Sequence, residues 1–322
     1  MTILFRGEFF LADYISKKGN FNTDMISTVF SPEGWFDDYN FIAAEANDIA
    51  TMAVTRRRGA HHDTAAKTYR YEFALIPTVG FLGSPEYLLN DCELKLSFDR
   101  SAKENAVVEF TTVTNAMTDY IEIKDCVAVS EWVSSPGIRN YFEQIDRSPI
   151  IYEFDDIDVL LKSIPQDETE IRFENIRGGN VPDFMFAALI PQSALTGTFQ
   201  SSSTSFRAQG VKELNITLNG NSVNGYPLSI KNQCPVIPLH KFFDVTNRLY
   251  NVSSGEGLSF TRFDYNWIWS HKFESENTSQ GWLGVSMKLT TGFTVPMTLV
   301  IWVINSSAIS IDKFHQIEKI NL

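Results

Sequence analysis

The chain has 322 residues, more than one ordinary domain and enough for two packed units, and at 43% hydrophobic and 20% charged it is globular rather than disordered. Its 39 acidic and 27 basic side chains leave a net charge of −12, which repels phosphate backbones and excludes a general nucleic-acid binder. Aromatics at 13%, with 25 Phe, lean towards β structure.

Residues 1–50 have weak periodicity, with a helix expected at 7–17 and a long loop after it. Arg56-Arg57-Arg58 reads as a solvated loop. Period-two alternation then predicts strands at residues 69–75, 92–98, 107–113 and 120–127. The short polar stretch 115–119 is the expected seam between two domains, 1–118 and 119–322. A short helix is expected at 136–145, with Ser134 or Ser135 as N-cap and Pro136 in the first turn. Asp155-Asp156-Ile157-Asp158 reads as an acidic exposed turn, lacking the Gly and closing Glu of a calcium loop.

Further strands are expected at 170–175, 184–190, 213–218, 258–267, 284–289 and 298–304. Gly178-Gly179-Asn180, the serine run 201–205 and residues 253–257 are expected loops. Asn219-Gly220 and Asn224-Gly225 are two-residue turn formers, because Asn and Gly tolerate positive φ. A second helix is expected at 239–250, with His240, Phe243 and Asn247 on one face. Many regularly spaced strands with one or two helices point to a sandwich or jelly roll.

Chemistry-bearing motifs are sparse. Cys92, Cys126 and Cys234 have no disulfide or zinc spacing and read as buried thiols. His61-His62-Asp63 offers ligand types, but neighbours on an extended chain point to opposite sides and chelate poorly. His240, His271 and His315 stand alone. The sequence has no G-x-S-x-G elbow, P-loop or dinucleotide fingerprint after a strand, so we expect no catalytic residue, no cofactor and no metal. No basic leader precedes the short apolar start. The longest apolar run, 295–304, is broken by Pro296 and Thr298 and is too short to cross a membrane as a helix. The expectation is a chain made in the cytoplasm or nucleus, not secreted, with the sequons at Asn215, Asn251, Asn277 and Asn305 a by-product of composition. Phe260, Phe263, Tyr265, Trp267 and Trp269 form an aromatic group that reads as a buried or interface strand, with a sugar-stacking platform as the rival reading.

One resemblance carries further. The order Phe173-Glu174-Asn175-Ile176-Arg177, Gly178-Gly179-Asn180, then Pro182-Asp183-Phe184 running to Ile190, leads to Val211-Lys212-Glu213-Leu214 and the turn Leu218-Asn219-Gly220, with Tyr226-Pro227-Leu228 as the exit. Gly281-Trp282-Leu283-Gly284-Val285 and the apolar run from Met297 to Ile304 follow. Upstream, Tyr87-Leu88-Leu89-Asn90 and Ser97-Phe98-Asp99-Arg100 keep the same order. This arrangement resembles the double-jelly-roll major capsid proteins, hexon-like, of Maverick/Polinton elements and adintovirus-like viruses.

The resemblance implies an all-β double jelly roll in a virion capsid. Residues 1–118 would supply a partial or diverged first jelly roll and 119–322 the second. It implies a structural protein and not an enzyme, partnered by itself as a homotrimer and by other capsid proteins. Two sandwiches in each of three chains make a pseudo-hexagonal tile. The alternatives are a shortened or host-adopted relative that binds partners without building a shell, and a carbohydrate-binding sandwich.

Overall fold

Alternation along short segments builds two antiparallel sheets. The computed structural model describes residues 148–196, 206, 210–230, 236–245, 267–273, 280–314 and 316–321, and the backbone of 61–63 and 68–70. In chain order the elements are β1 (His61–Asp63), β2 (Thr68–Arg70), β3 (Ile150–Ile164), β4 (Glu170–Asn180), β5 (Phe184–Pro191), α1 (Gln192–Thr196), β6 (Val211–Leu218), β7 (Asn221–Ser222), β8 (Leu228–Ser229), α2 (Val236–Val245), β9 (Trp269–Lys272), β10 (Gln280–Leu289), β11 (Met297–Ile311) and β12 (Ile317–Asn321). β1 and β2 pair antiparallel with each other.

The main body is a sandwich. One sheet runs β3-β11-β5-β9, and the other runs β4-β10-β6 with β7 and β8 on the far edge of β6. From β3 to β11 every connection switches sheets except the return from β6 through β7 to β8, and β11 then turns back into β12 within its own sheet. First, eighth, third and sixth strands face second, seventh, fourth and fifth, when β7 and β8 count as one interrupted strand. That connectivity is a jelly roll, built from residues 150–311. The expected all-β class is what the described residues adopt, with two antiparallel sheets and two helices among them.

The two faces of the first sheet explain its unbroken apolar sequences. Met185, Ala187 and Leu189 of β5, with Leu299, Ile301 and Val303 of β11, point into the sandwich. Phe186, Ala188, Ile190, Val300, Trp302 and Ile304 point the other way, where Phe206, Phe242 and Val245 cover them. A strand buried on both sides loses its alternation, and β5 reads Phe-Met-Phe-Ala-Ala-Leu-Ile for that reason. The second sheet packs its apolar side chains on one face among the described residues. Leu214, Ile216 and Leu218 of β6 are core, while Glu213, Asn215 and Thr217 face outwards.

Several boundaries differ from the sequence reading. β3 was not among the expected strands, and residues 155–158 are no turn but its middle. Asp is a poor strand former, yet all fifteen residues of β3 pair with β11 and the ladder overrides local preference. Gly178-Gly179-Asn180 continues β4 instead of forming a loop. α2 starts earlier than expected, at Val236, and buries Pro238, Phe242 and Val245, leaving His240 exposed. Its buried stripe must meet Phe186, which Phe242 contacts edge-on at 6.0 Å. Asn219-Gly220 is the expected tight turn, with φ of 53° and 81° at its two residues. Asn224-Gly225 also turns, closed by Tyr226 N–H donating to the Val223 carbonyl at 3.0 Å, but it loops out between β7 and β8. The other expected elements before residue 148, the seam and the three cysteines lie outside the described residues.

Candidate assembly surface

β11 is the strand on which the surface is built. Along Met297–Ile304 it is flanked by β3 and β5. From Ser307 to Ile311 its second neighbour is β12. The apolar filling between the sheets stops at Val303, so the rest of β3, β11 and β12 continues past it as a three-stranded ribbon. Fifteen strand residues span roughly 50 Å, twice what the sandwich uses.

The junction between sandwich and ribbon is polar. Asp158 of β3 meets Arg177 of β4 at 3.2 Å, and Arg177 also donates to the Asn305 amide oxygen at 3.3 Å. This fork joins the two sheets where the core ends. Asp156 pairs with Lys319 of β12 on the same face. On the opposite face, the Asp183 carboxylate accepts from the Ser306 backbone N–H at 2.6 Å and from its hydroxyl at 2.8 Å. Asp155 stands opposite Ser306 in the ladder. Burial and the nearby Asp183 carboxylate hold the Asp155 carboxyl above its ordinary range.

Beyond the junction Tyr152, Ser307, Ala308 and Ile311 are buried, but the tip is not. Ile317, opposite Ile311, is 67% exposed, and Phe314 in the β11–β12 turn is 72% exposed. Ile151, opposite Ser310, is exposed on the other face. The turn is held rigid under them: Asp312 Oδ1 accepts from the backbone N–H of Phe314 at 2.9 Å and of Gln316 at 2.8 Å. The turn thus leaves the Phe314 ring exposed, with the Lys313 ammonium 5.2 Å from its centre. The sequence reading stopped this strand at residue 304 and missed Ile151, Phe314 and Ile317. The signal was there, since Ser307-Ala308-Ile309-Ser310-Ile311 resumes apolar character after the polar Asn305-Ser306 break.

Of the expected aromatic group, Trp267 and Trp269 are described. Both are buried in the sandwich core, edge-to-face at 6.4 Å. Phe260, Phe263 and Tyr265 lie outside the described residues. His61, His62 and Asp63 follow one another along β1. Among the described residues no group of three His, Cys, Asp or Glu side chains is placed to hold a metal, and no helix is long and apolar enough to cross a membrane.

His271 of β9 is buried at the sandwich edge. Its ring meets Phe273 at 4.6 Å and Tyr226 at 5.5 Å, both edge-on. The Tyr226 hydroxyl donates to the Ser270 carbonyl at 2.8 Å, and burial pushes that hydroxyl's pKa up. Lys241 of α2 reaches over the Tyr226 ring at 6.0 Å. Burial first, and the Lys241 charge second, lower the His271 pKa to about 4. The imidazole is therefore a neutral piece of the wall at physiological pH.

The chain matches no protein-family model and no curated protein by sequence. Solved structures similar to it include the mavirus major capsid protein, at 10% identity and a TM-score of 0.34, over 54% of this chain and 41% of that one. The PBCV-1 virus capsid is similar at 10% identity and a TM-score of 0.33, over 53% of this chain and 51% of that one. PBCV-1 VP54, fitted into a reconstruction of the virophage Sputnik, is similar at 10% identity and a TM-score of 0.34, over 57% and 54%. The chain thus spans about half the length of the structures it matches.

Proposed function

We propose that this chain is a structural protein of the capsid type, a double jelly roll whose second sandwich is the one formed by residues 150–311 and whose three copies build a pseudo-hexagonal tile. The observation that carries this reading is the ribbon. A jelly roll alone serves lectins, cupins and shells alike. Here two of its strands run on past the core and present Phe314, Ile317 and Ile151 at a rigid tip. An apolar tip on a stiff arm suits insertion between copies, as a closed symmetric assembly requires. The acidic balance suits a shell that does not itself hold nucleic acid. On this reading residues 1–118 contribute the first jelly roll, the assembly contains other capsid proteins, and its relatives are those of Maverick/Polinton elements.

Light scattering behind size-exclusion chromatography tests it, with negative-stain images of the peak. The expected species is a trimer of the 36.5 kDa chain with a hexagonal outline. Phe314→Glu with Ile317→Glu should dissociate it without lowering the melting temperature. A wild-type monomer at high concentration, or a trimer indifferent to both substitutions, overturns the proposal.

A further inference from the structure

Two Asn-Gly pairs stand in turns of the second sheet, and their surroundings differ. In an Asn-Gly pair the glycine nitrogen can attack the asparagine side chain with no following side chain in its way. At Asn219-Gly220 the reacting amide is tied down. Asn219 donates its backbone N–H to the Trp282 carbonyl at 2.9 Å, and its Oδ1 accepts the Trp282 N–H at 3.0 Å. The same amide fills the space over Gly281, where an added Cβ would lie 2.7 Å from Oδ1 and 2.9 Å from Nδ2. The side chain is thereby held on β10, and closing it onto Gly220 means breaking that pairing.

Asn224-Gly225 is set differently. Both residues are exposed. The Tyr226 N–H closes the turn onto the Val223 carbonyl at 3.0 Å, and Gly225 has a φ of 77°, so the pair fills the two central positions of a type II turn. Among the described residues the Gly225 N–H donates to none. Lys241 of α2 reaches onto this turn. A Cβ added at Gly225 would lie 2.5 Å from Nζ, which puts the ammonium within about 5 Å of the Gly225 nitrogen. No described carboxylate pairs with Lys241. Its charge bears instead on the Tyr226 ring, at 6.0 Å, and on His271.

We propose that Asn224-Gly225 is a site of spontaneous deamidation, and that the carboxylate it generates pairs with the Lys241 ammonium. The Gly225 nitrogen gives up its proton to water and attacks Asn224 Cγ. A nitrogen–carbon bond forms, the Cγ–Nδ2 bond breaks, and the leaving nitrogen takes up a proton and departs as ammonia. Water then opens the succinimide, at Cγ to give aspartate or at the main-chain carbonyl to give isoaspartate. The sequence consumes only water. A cation this near favours the anionic nitrogen over its neutral form, so Lys241 speeds the step. The product carries one more negative charge, beside an ammonium that has no described carboxylate, and the turn and α2 gain an ion pair. The site is independent of the shell-forming tip, and the proposal does not rest on the capsid reading.

The test is timed incubation of the full chain at mildly alkaline pH, followed by peptide mapping by mass spectrometry and enzymatic detection of isoaspartate. Conversion at Asn224 is expected at least tenfold faster than at Asn219. It should slow severalfold in Lys241→Met and keep most of its rate in Lys241→Arg, which retains the charge. Asn224→Asp stands in for one product. It should raise the Lys241 pKa, read by NMR of isotopically methylated lysines, with the Lys241 signal assigned by its loss in Lys241→Arg. Conversion at Asn224 no faster than at Asn219 overturns the assignment, as does a rate in Lys241→Met equal to or above wild type. A Lys241 pKa unchanged by Asn224→Asp overturns the pairing.

Discussion

Asp183 holds Ser306 at the point where β11 changes partners. β5 ends its pairing at Phe184 opposite Ile304, and β12 begins at Asn321 opposite Ser307. The intervening Ser306 N–H has no strand to donate to on that side, and the Asp183 carboxylate takes it together with the hydroxyl. One side chain thereby closes the gap between sandwich and ribbon. Because the site is exposed and water can substitute, Asp183→Ala should cost about 1 kcal/mol. The melting temperature should fall by roughly 2–4 °C. Asp183→Asn should also let the Asp155 pKa fall towards the ordinary carboxylate value, since the repelling charge is gone. A carboxyl NMR titration reads this directly, and an unmoved Asp155 would refute the coupling.

His271 makes stability depend on acid. Its folded pKa of about 4 lies below the ordinary 6.5. Between those values the unfolded chain binds the proton and the folded chain does not, so stability drops as pH falls from about 6.5 to about 4. A shift of about 2.5 units at 1.36 kcal/mol each gives about 3 kcal/mol as the order of the loss. Phe273 and Tyr226 meet the ring edge-on and the Lys241 charge adds to the cost of protonating it. Denaturant unfolding at pH 7.5 and 4.5 should differ by this amount in wild type and by clearly less in His271→Phe. Equal pH slopes in both would remove His271 as the source.

The β6–β7 turn shows how much of the fold was legible in the sequence. Asn219-Gly220 is a local signal, fixed by the backbone freedom of two residues, and it folds as read. Gly220→Ala should cost about 1–2 kcal/mol, the usual strain of a side chain at its φ of 81°, measured by chemical denaturation. An effect near zero would mean that the turn relaxes to another type.

The β-strands facing a single core, such as β6 and β10, were legible for the same reason: their alternation is written in consecutive residues. β3 was not, because three aspartates in four positions hide the pattern. Asp156 and Asp158 face Lys319 and Arg177, which are distant in sequence, so their strand role is set by tertiary ion pairs. α2 was placed late because its stripe of Pro238, Phe242 and Val245 is selected by the sheet beneath, with Phe243 and Leu239 partly buried beside it. Of the exposed tip, Phe314 and Ile317 were visible in the sequence but not their exposure, which depends on where β12 ends and only the register reveals.

Gly284 marks the tightest approach within the second sheet. A Cβ there would lie 2.6 Å from the Thr217 hydroxyl and 3.0 Å from the Phe173 carbonyl oxygen. It sits between β6, where Thr217 is its partner, and the bulge of β4 where the register shifts between Leu283 and Val285. The bulge carries the β4 backbone over Gly284, so one contact is a movable side chain and the other is main chain. Gly284→Ala should therefore destabilise by about 1–3 kcal/mol through overpacking. Thr217→Ala in the same chain should recover part of that loss, because it removes the closer obstacle, and leave the part due to Phe173. A double-mutant cycle by chemical denaturation measures the split. Full recovery would mean that the β4 backbone shifts freely, and no recovery would place the whole cost on the bulge.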